Sequence, residues 1–262
     1  RDVLSAAVFG YTDITAVELN PVFVQLLTEA PYAEFANLTS LPGLRLIVDE
    51  GRSWFARTSE RFDVIQMSLI DTWAATGAGA FSLSENGLYT VEAWRTFLDR
   101  LSERGVYTVS RWYNPNDPTE TARMLSLAVA ALLERGVAEP ERHIFLAAQN
   151  TIATQILARE PFSAAELNLL EERARYFEHR ILLAPGKHAQ VSLLEQIAAA
   201  RDEHGLKAIT ESFAFDLTPP TDERPVFFNQ MPLDRPLGAL RFAGGRITSG
   251  GIREGNLVAS AT

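Results

Sequence analysis

The sequence predicts an α/β layered fold, and two observations predict it. Short runs rich in β-branched residues alternate with helix-length amphipathic stretches through much of the chain, and three acidic residues fall at or just past the ends of successive strand runs. With 262 residues and 47% hydrophobic content, the chain can bury a sizeable core, as one large domain or one plus a small appendage.

The elements follow in order. Arg1 to Phe9 (RDVLSAAVF) reads as a helix without a capping residue or a preceding loop, so the expectation is a fragment that starts inside an element. Gly10 ends that helix. Asp13 to Leu19 is a strand, and Asn20-Pro21 opens a helix to Glu29. Leu44 to Val48 is a second strand, followed by Asp49-Glu50-Gly51-Arg52 and a short helix to Arg57. Phe62 to Met67 is a third strand, and Asp71 to Gly87 is a long loop of Gly, Ala, Ser and Thr. Leu88 to Arg104 reads as an amphipathic helix, Gly105 to Trp112 as a fourth strand, and Pro118 to Arg135 as a helix. His143 to Ala148 and Thr151 to Ala158 form an antiparallel closing hairpin about Asn150. Ser163 to Phe177 and Val191 to Arg201 are helices, with a strand from Arg180 to Ala184 between them. From Leu217 the composition turns to proline and then glycine, as in a docked extended segment running into a tail.

Composition narrows the function classes. A net charge of −9 repels nucleic acid and anionic lipid, and does not repel cationic amines. The absence of cysteine excludes disulfides, thiolate catalysis and cysteine-ligated zinc. No stretch reaches the ~18–20 apolar residues of a membrane span, and no signal peptide opens the chain. The four histidines lack metal-ligand spacing, and Gly51-Arg52-Ser53-Trp54-Phe55 lacks the last glycine of a nucleophile elbow.

The three acids are Glu18, Glu50 and Asp71. In an open parallel sheet, ligands bind in the crevice outside the carboxyl ends of the strands. One carboxylate there can accept hydrogen bonds from two vicinal ribose hydroxyls, which suits Glu18. Glu50 can accept from an adenine amino group while Gly51 lets the backbone approach. Both acids also have a purely structural reading, as charges at helix N-termini. Trp73, beside Asp71, is placed to wall a substrate site, and Thr72 to Asn86 is long enough to serve as a lid.

The runs ITAVELNP, VDEGRSWF, FDVIQMSLIDTW and NGLYTVEAWRTFLDRLSERGVYTVSRW, over residues 1 to 113, resemble the spermidine synthases. Among these polyamine aminopropyltransferases they are most similar to bacterial membrane-associated spermidine synthase-like proteins, in which PTDERPVFFN-type segments also occur. The resemblance implies a Rossmann-like class I methyltransferase fold. That is a mostly parallel twisted sheet with helices on both faces, truncated before its first strand and carrying a C-terminal α/β extension. It implies a transferase domain over 1–160 without its glycine loop, an α/β extension over 161–216, and a Pro/Gly-rich segment and tail over 217–262. It implies decarboxylated S-adenosylmethionine or S-adenosylmethionine as cofactor, held by Glu18, Asn20, Glu50, Gly51 and Ser68, with no metal. Asp71, Trp73 and Tyr89 would contact an amine acceptor, with Asp71 also catalytic.

Two positions depart from the family. Its third strand ends in Asp-x-x-Asp, whose first aspartate takes the amine's proton; here the pattern is Ser68-Leu69-Ile70-Asp71. Arg111 stands near a common glutamine, where it either disfavours a polycationic acceptor or pairs with a neighbouring acid. The reading is therefore aminopropyl transfer, with methyl transfer or a non-catalytic nucleoside-binding regulatory domain as the alternatives. The expected partners are a small amine, a second copy of the chain, and membrane-spanning segments of a longer protein on its cytoplasmic side; no nucleic acid is expected.

Overall fold

The computed structural model describes residues 2–69, 86–213 and 215–230. The chain divides into two compact units, residues 1–60 and 61–262.

In the first unit, helix α1 (Asp2–Val8) precedes strand β1 (Ile14–Glu18), helix α2 (Pro21–Thr28), a single turn α3 (Ala33–Ala36), strand β2 (Leu44–Val48) and helix α4 (Gly51–Arg57). β1 and β2 pair in parallel, with Glu18 opposite Val48. Gly43 makes this approach possible. Its φ is +71°, and a Cβ there would lie 1.7 Å from the carbonyl oxygen of Thr12. Ile14 and Leu38 are the buried hydrophobic residues described in this unit, while Val8, Phe9, Leu19 and Phe35 are exposed.

The second unit is a five-stranded sheet in the order β3-β4-β6-β5-β7. β3 (Phe62–Ser68) and β4 (Leu101–Trp112) are parallel. β5 (Ile144–Gln149) and β6 (Ile152–Ala158) form the expected hairpin, turning at Asn150 with φ +52°, and β7 (Arg180–Leu183) closes the edge. The α/β class stands: β1–β2 and β3–β4 pair in parallel, and the antiparallel hairpin follows them.

Helices cover both faces of this sheet. On one lie α5 (Val91–Asp99) and α6 (Thr119–Glu134), packed against Leu101, Tyr107 and Val109 of β4. α6 is buried from Thr119 through Leu132 because α8 (Ser192–Ala198) and α9 (Glu203–Glu211) pack on it as well. On the other face α7 (Ala164–Tyr176), started by a full Ser163–Glu166 capping box, packs on Phe145, Ala147, Ile156 and Ile181. The sequence pattern gave no helix at Glu203–Glu211, although Asp202 caps it by accepting from Gly205 N at 2.7 Å.

One boundary differs from expectation. The helix predicted to Arg104 stops at Asp99, and Leu101 to Arg104 already belong to β4. Arg61 explains part of this, since its guanidinium donates to the carbonyls of Asp99 and Leu101 and anchors the helix end. The β3–β4 register shifts between Phe62 and Val64, opposite this stretch. Gly105 permits the shift: a Cβ there would sit 2.7 Å from the Phe62 carbonyl and 3.0 Å from Ser102 N. Gly105→Ala is therefore expected to destabilise the second unit by about 1–3 kcal/mol, read as a lower urea midpoint at unchanged slope.

Candidate functional site

In the first unit, Glu18 is the last residue of β1 and Glu50 follows β2, so the parallel register brings both acids to one end of the sheet. The Asp49 amide donates to the Glu18 carbonyl at 3.1 Å, extending the ladder one step beyond the strands. Glu18 Oε1 accepts from Asn20 N at 2.8 Å, and Asn20 Oδ1 in turn caps α2 through Val22 N. Oε2 of the half-buried Glu18 has no hydrogen-bond partner among the described residues.

Glu50 is the N-cap of α4. Its two oxygens accept from Arg52 N at 2.9 Å and Ser53 N at 2.7 Å. Burial raises its pKa, but the Ser53 and Arg52 donors outweigh that and hold the carboxyl below its ordinary value. The helix-opening role is thus real for Glu50, whose carboxylate also accepts from the Ser53 hydroxyl. Asp49 pairs with Arg57 and accepts from Glu50 N, which sets the turn that aims Glu50. Gly51 is the first residue of α4.

In the second unit, Ser68 ends β3 opposite Ser110 of β4, and Gln66 Nε2 donates to its hydroxyl at 3.2 Å. Leu69 then adopts φ +44°, and its amide donates to the Ser110 carbonyl at 3.2 Å. Side chains alternate across a strand, so Ser68 shares a face with Ser110, while Met67, Val109 and Arg111 belong to the opposite face. Asp71, Trp73 and the lid stretch from Thr72 lie outside the described residues.

Tyr89 is fully buried and meets Arg111. The Arg111 guanidinium donates through Nε to Glu120 at 3.0 Å and through Nη1 to the Tyr89 hydroxyl at 3.4 Å. Arg111 therefore pairs with a neighbouring acid, one of the two readings left open for it, and also contacts Tyr89.

The segment Asp216–Gln230 builds the remaining wall. Its ends meet through Asp216 N and the Gln230 carbonyl at 2.8 Å. Arg123, buried inside α6, fastens it by donating to the carbonyls of Thr218 at 3.2 Å, Phe227 at 3.0 Å and Asn229. Ser126 adds a bond to the Leu217 carbonyl at 2.6 Å. Asp222 accepts from Thr90 Oγ1, and its own amide donates to Glu92, so the strap also holds the N-terminus of α5. Phe227 stacks on Tyr89 with ring centroids 4.6 Å apart, and Phe228 meets Tyr89 edge-on at 5.8 Å.

Burial pulls the Arg123 guanidinium down to about 10, against the attraction of Asp216 3.6 Å away. Burial pushes the Asp216 carboxyl up, but Arg123, the Thr218 donors and Arg224 together hold it below its ordinary value. Sequence reasoning missed Arg123, Glu120, Phe227 and Phe228 as site-building residues. The readable signal was a lone arginine within the apolar run of α6, which must find partners if buried.

No protein-family model matches the chain, and no curated protein matches it. Solved structures with similar chains include a probable spermidine synthase from Corynebacterium glutamicum (16% identity, TM-score 0.48, 75% of this chain and 64% of that one). Another is the spermidine synthase from Thermotoga maritima (14%, TM-score 0.42, 75% and 61%). A third is an rRNA methylase from Streptococcus thermophilus (14%, TM-score 0.31, 58% and 74%). The chain thus spans less than two thirds of the length of either synthase. Among the described residues no helix is long and apolar enough to cross a membrane, and no group of three potential metal ligands comes together.

Two predictions follow from the clasp. Arg123→Ala leaves several buried carbonyls without their donor and Asp216 without its buried counter-charge, so a loss of about 3–5 kcal/mol is expected in chemical denaturation, with new proteolysis inside 216–230. Because the folded Asp216 pKa is depressed, its contribution is present above the ordinary aspartate range near ~4 and is lost as pH falls below it. Thermal melts taken from neutral pH into acid should show this loss, and Asp216→Asn should flatten it.

Proposed function

We propose that this chain is a transferase domain that binds S-adenosylmethionine or its decarboxylated form and transfers an aminopropyl group to an amine. The observation that carries the reading is the placement of Glu18 and Glu50 at the carboxyl end of two adjacent parallel strands. The residues fit a nucleoside: Glu18 Oε2 is an available acceptor for ribose hydroxyls, and Glu50 is held ionised beside Gly51. When bound, such a cofactor supplies a carbon activated by the neighbouring sulfonium, which departs as a neutral thioether when the amine nitrogen attacks.

The chain's own residues then have distinct tasks. Glu18 and Glu50 orient the nucleoside, and Asn20 holds Glu18 in place through its amide. Tyr89 and the strap exclude water on the acceptor side, and Asp71 takes the proton from the attacking amine. One observation favours methyl transfer or binding without turnover as the second reading: Ser68 stands at the position of the expected base, and its hydroxyl is bonded to Gln66 rather than to an acid or imidazole. Assembly into a homodimer and membrane attachment through other segments of a longer protein belong to the same proposal.

Calorimetry of the full chain with each cofactor tests the reading. Micromolar binding is expected, weakened about 10- to 100-fold in Glu18→Ala, the worth of one or two hydrogen bonds to a carboxylate. Incubation with a primary amine should then yield methylthioadenosine from the decarboxylated cofactor. Release of S-adenosylhomocysteine instead assigns methyl transfer, and failure to bind either cofactor overturns the reading.

A further inference from the structure

Three aromatic rings surround the Arg111 guanidinium. Its Cζ lies 4.7 Å from the centroid of Phe228, 5.3 Å from Tyr89 and 6.0 Å from Phe227. Glu120 accepts from Nε, and its side chain is 8% exposed against 1% for Arg111. Aromatic rings present negative potential on their faces, and three rings together with a carboxylate around one point make a receptor for an organic cation such as an alkylammonium or guanidinium group. Here the receptor is filled from within, by a side chain of β4.

From this geometry we infer that the Tyr89–Phe227–Phe228–Glu120 box is a cation-binding site whose resident cation is Arg111, and that Arg111 is a specificity-determining residue that bars polycationic amines. The inference rests on the transferase reading only in calling the excluded molecule an acceptor. The physical reason is competition for the same surfaces. The ring faces and Glu120 are already committed to a guanidinium, and a second cation brought against it in a site so poorly solvated is repelled without aqueous screening. The acceptor class this leaves is an amine whose remainder, apart from the reacting and deprotonated nitrogen, is uncharged or carries a carboxylate, so that no further ammonium faces Arg111. The strap fixes two sides of the box, because Arg123 clasps the carbonyls of Phe227 and Asn229 on either side of Phe228.

The test uses the full chain and 1,4-diaminobutane as the probe. Wild-type protein should show no saturable heat with the diamine, whereas Arg111→Ala should bind it at least about tenfold more tightly, a gain the further change Glu120→Gln should abolish. Arg111→Lys, which keeps a cation in the box, should behave as wild type. Should Arg111→Ala not fold alone, N-methylguanidinium or the diamine should restore its cooperative melt while leaving the wild-type melt unmoved. Diamine binding by the wild type overturns the inference, as does an alanine variant that neither binds nor is restored by any of these cations. Cofactor calorimetry separates the two failures: a chain that binds no cofactor sinks the transferase reading, while the diamine result alone decides the box.

Discussion

The second unit depends on one buried cation. Arg123 sits in a helix that is otherwise packed on all sides, fully removed from water, and its guanidinium has no carboxylate in direct hydrogen-bond contact. Backbone carbonyls of the strap accept from its Nε and Nη1 instead, while Nη2 faces Asp216 at 3.6 Å. That choice has a structural consequence, because carbonyl acceptors can be supplied only by a chain in one particular path. A charge that would be costly without partners thereby dictates the course of residues 216–230, where proline leaves several positions without an N–H to pair in a sheet.

From the strap the constraint passes to the site. Its far end holds Thr90 and Glu92 at the start of α5, and the Val91 amide donates to the Pro220 carbonyl at 3.0 Å. Tyr89 is thereby set just before the helix, stacked on Phe227. The two buried arginines are thus solved differently. Arg123 is spread over neutral carbonyls and holds backbone in place, while Arg111 faces a carboxylate and aromatic rings. Losing the first would disperse the wall that encloses the second.

Much of this was legible in the sequence, and the reason lies in periodicity. β2 was read at its observed bounds, and β1, β3 and the hairpin within a residue or two, because alternation and β-branched runs are local signals. Glu18 and Glu50 were readable as strand-end acids for the same reason. The α5–β4 junction was not, since Leu101 to Arg104 continue a helical pattern and only tertiary bonds from Arg61 and the crowding at Gly105 end it. The aromatic box was equally hidden. Tyr89, Arg111, Glu120 and Phe227 are distant along the chain, and no local period links a strand, two helix starts and an irregular strap.

The two faces at the end of β3 differ in kind. One carries a row of hydroxyls, with Ser68 bonded to Gln66 and Ser110 within 2.9 Å of Thr154. The other carries Met67, Val109 and then Arg111 with its acid and rings. Leu69 ends the strand in a left-handed conformation that costs a leucine about 1–2 kcal/mol, held by the continuing bond to Ser110. Neither face, among the described residues, offers the β3 end a carboxylate or imidazole poised to accept a proton: hydroxyls are poor bases, and Glu120 is committed to Arg111.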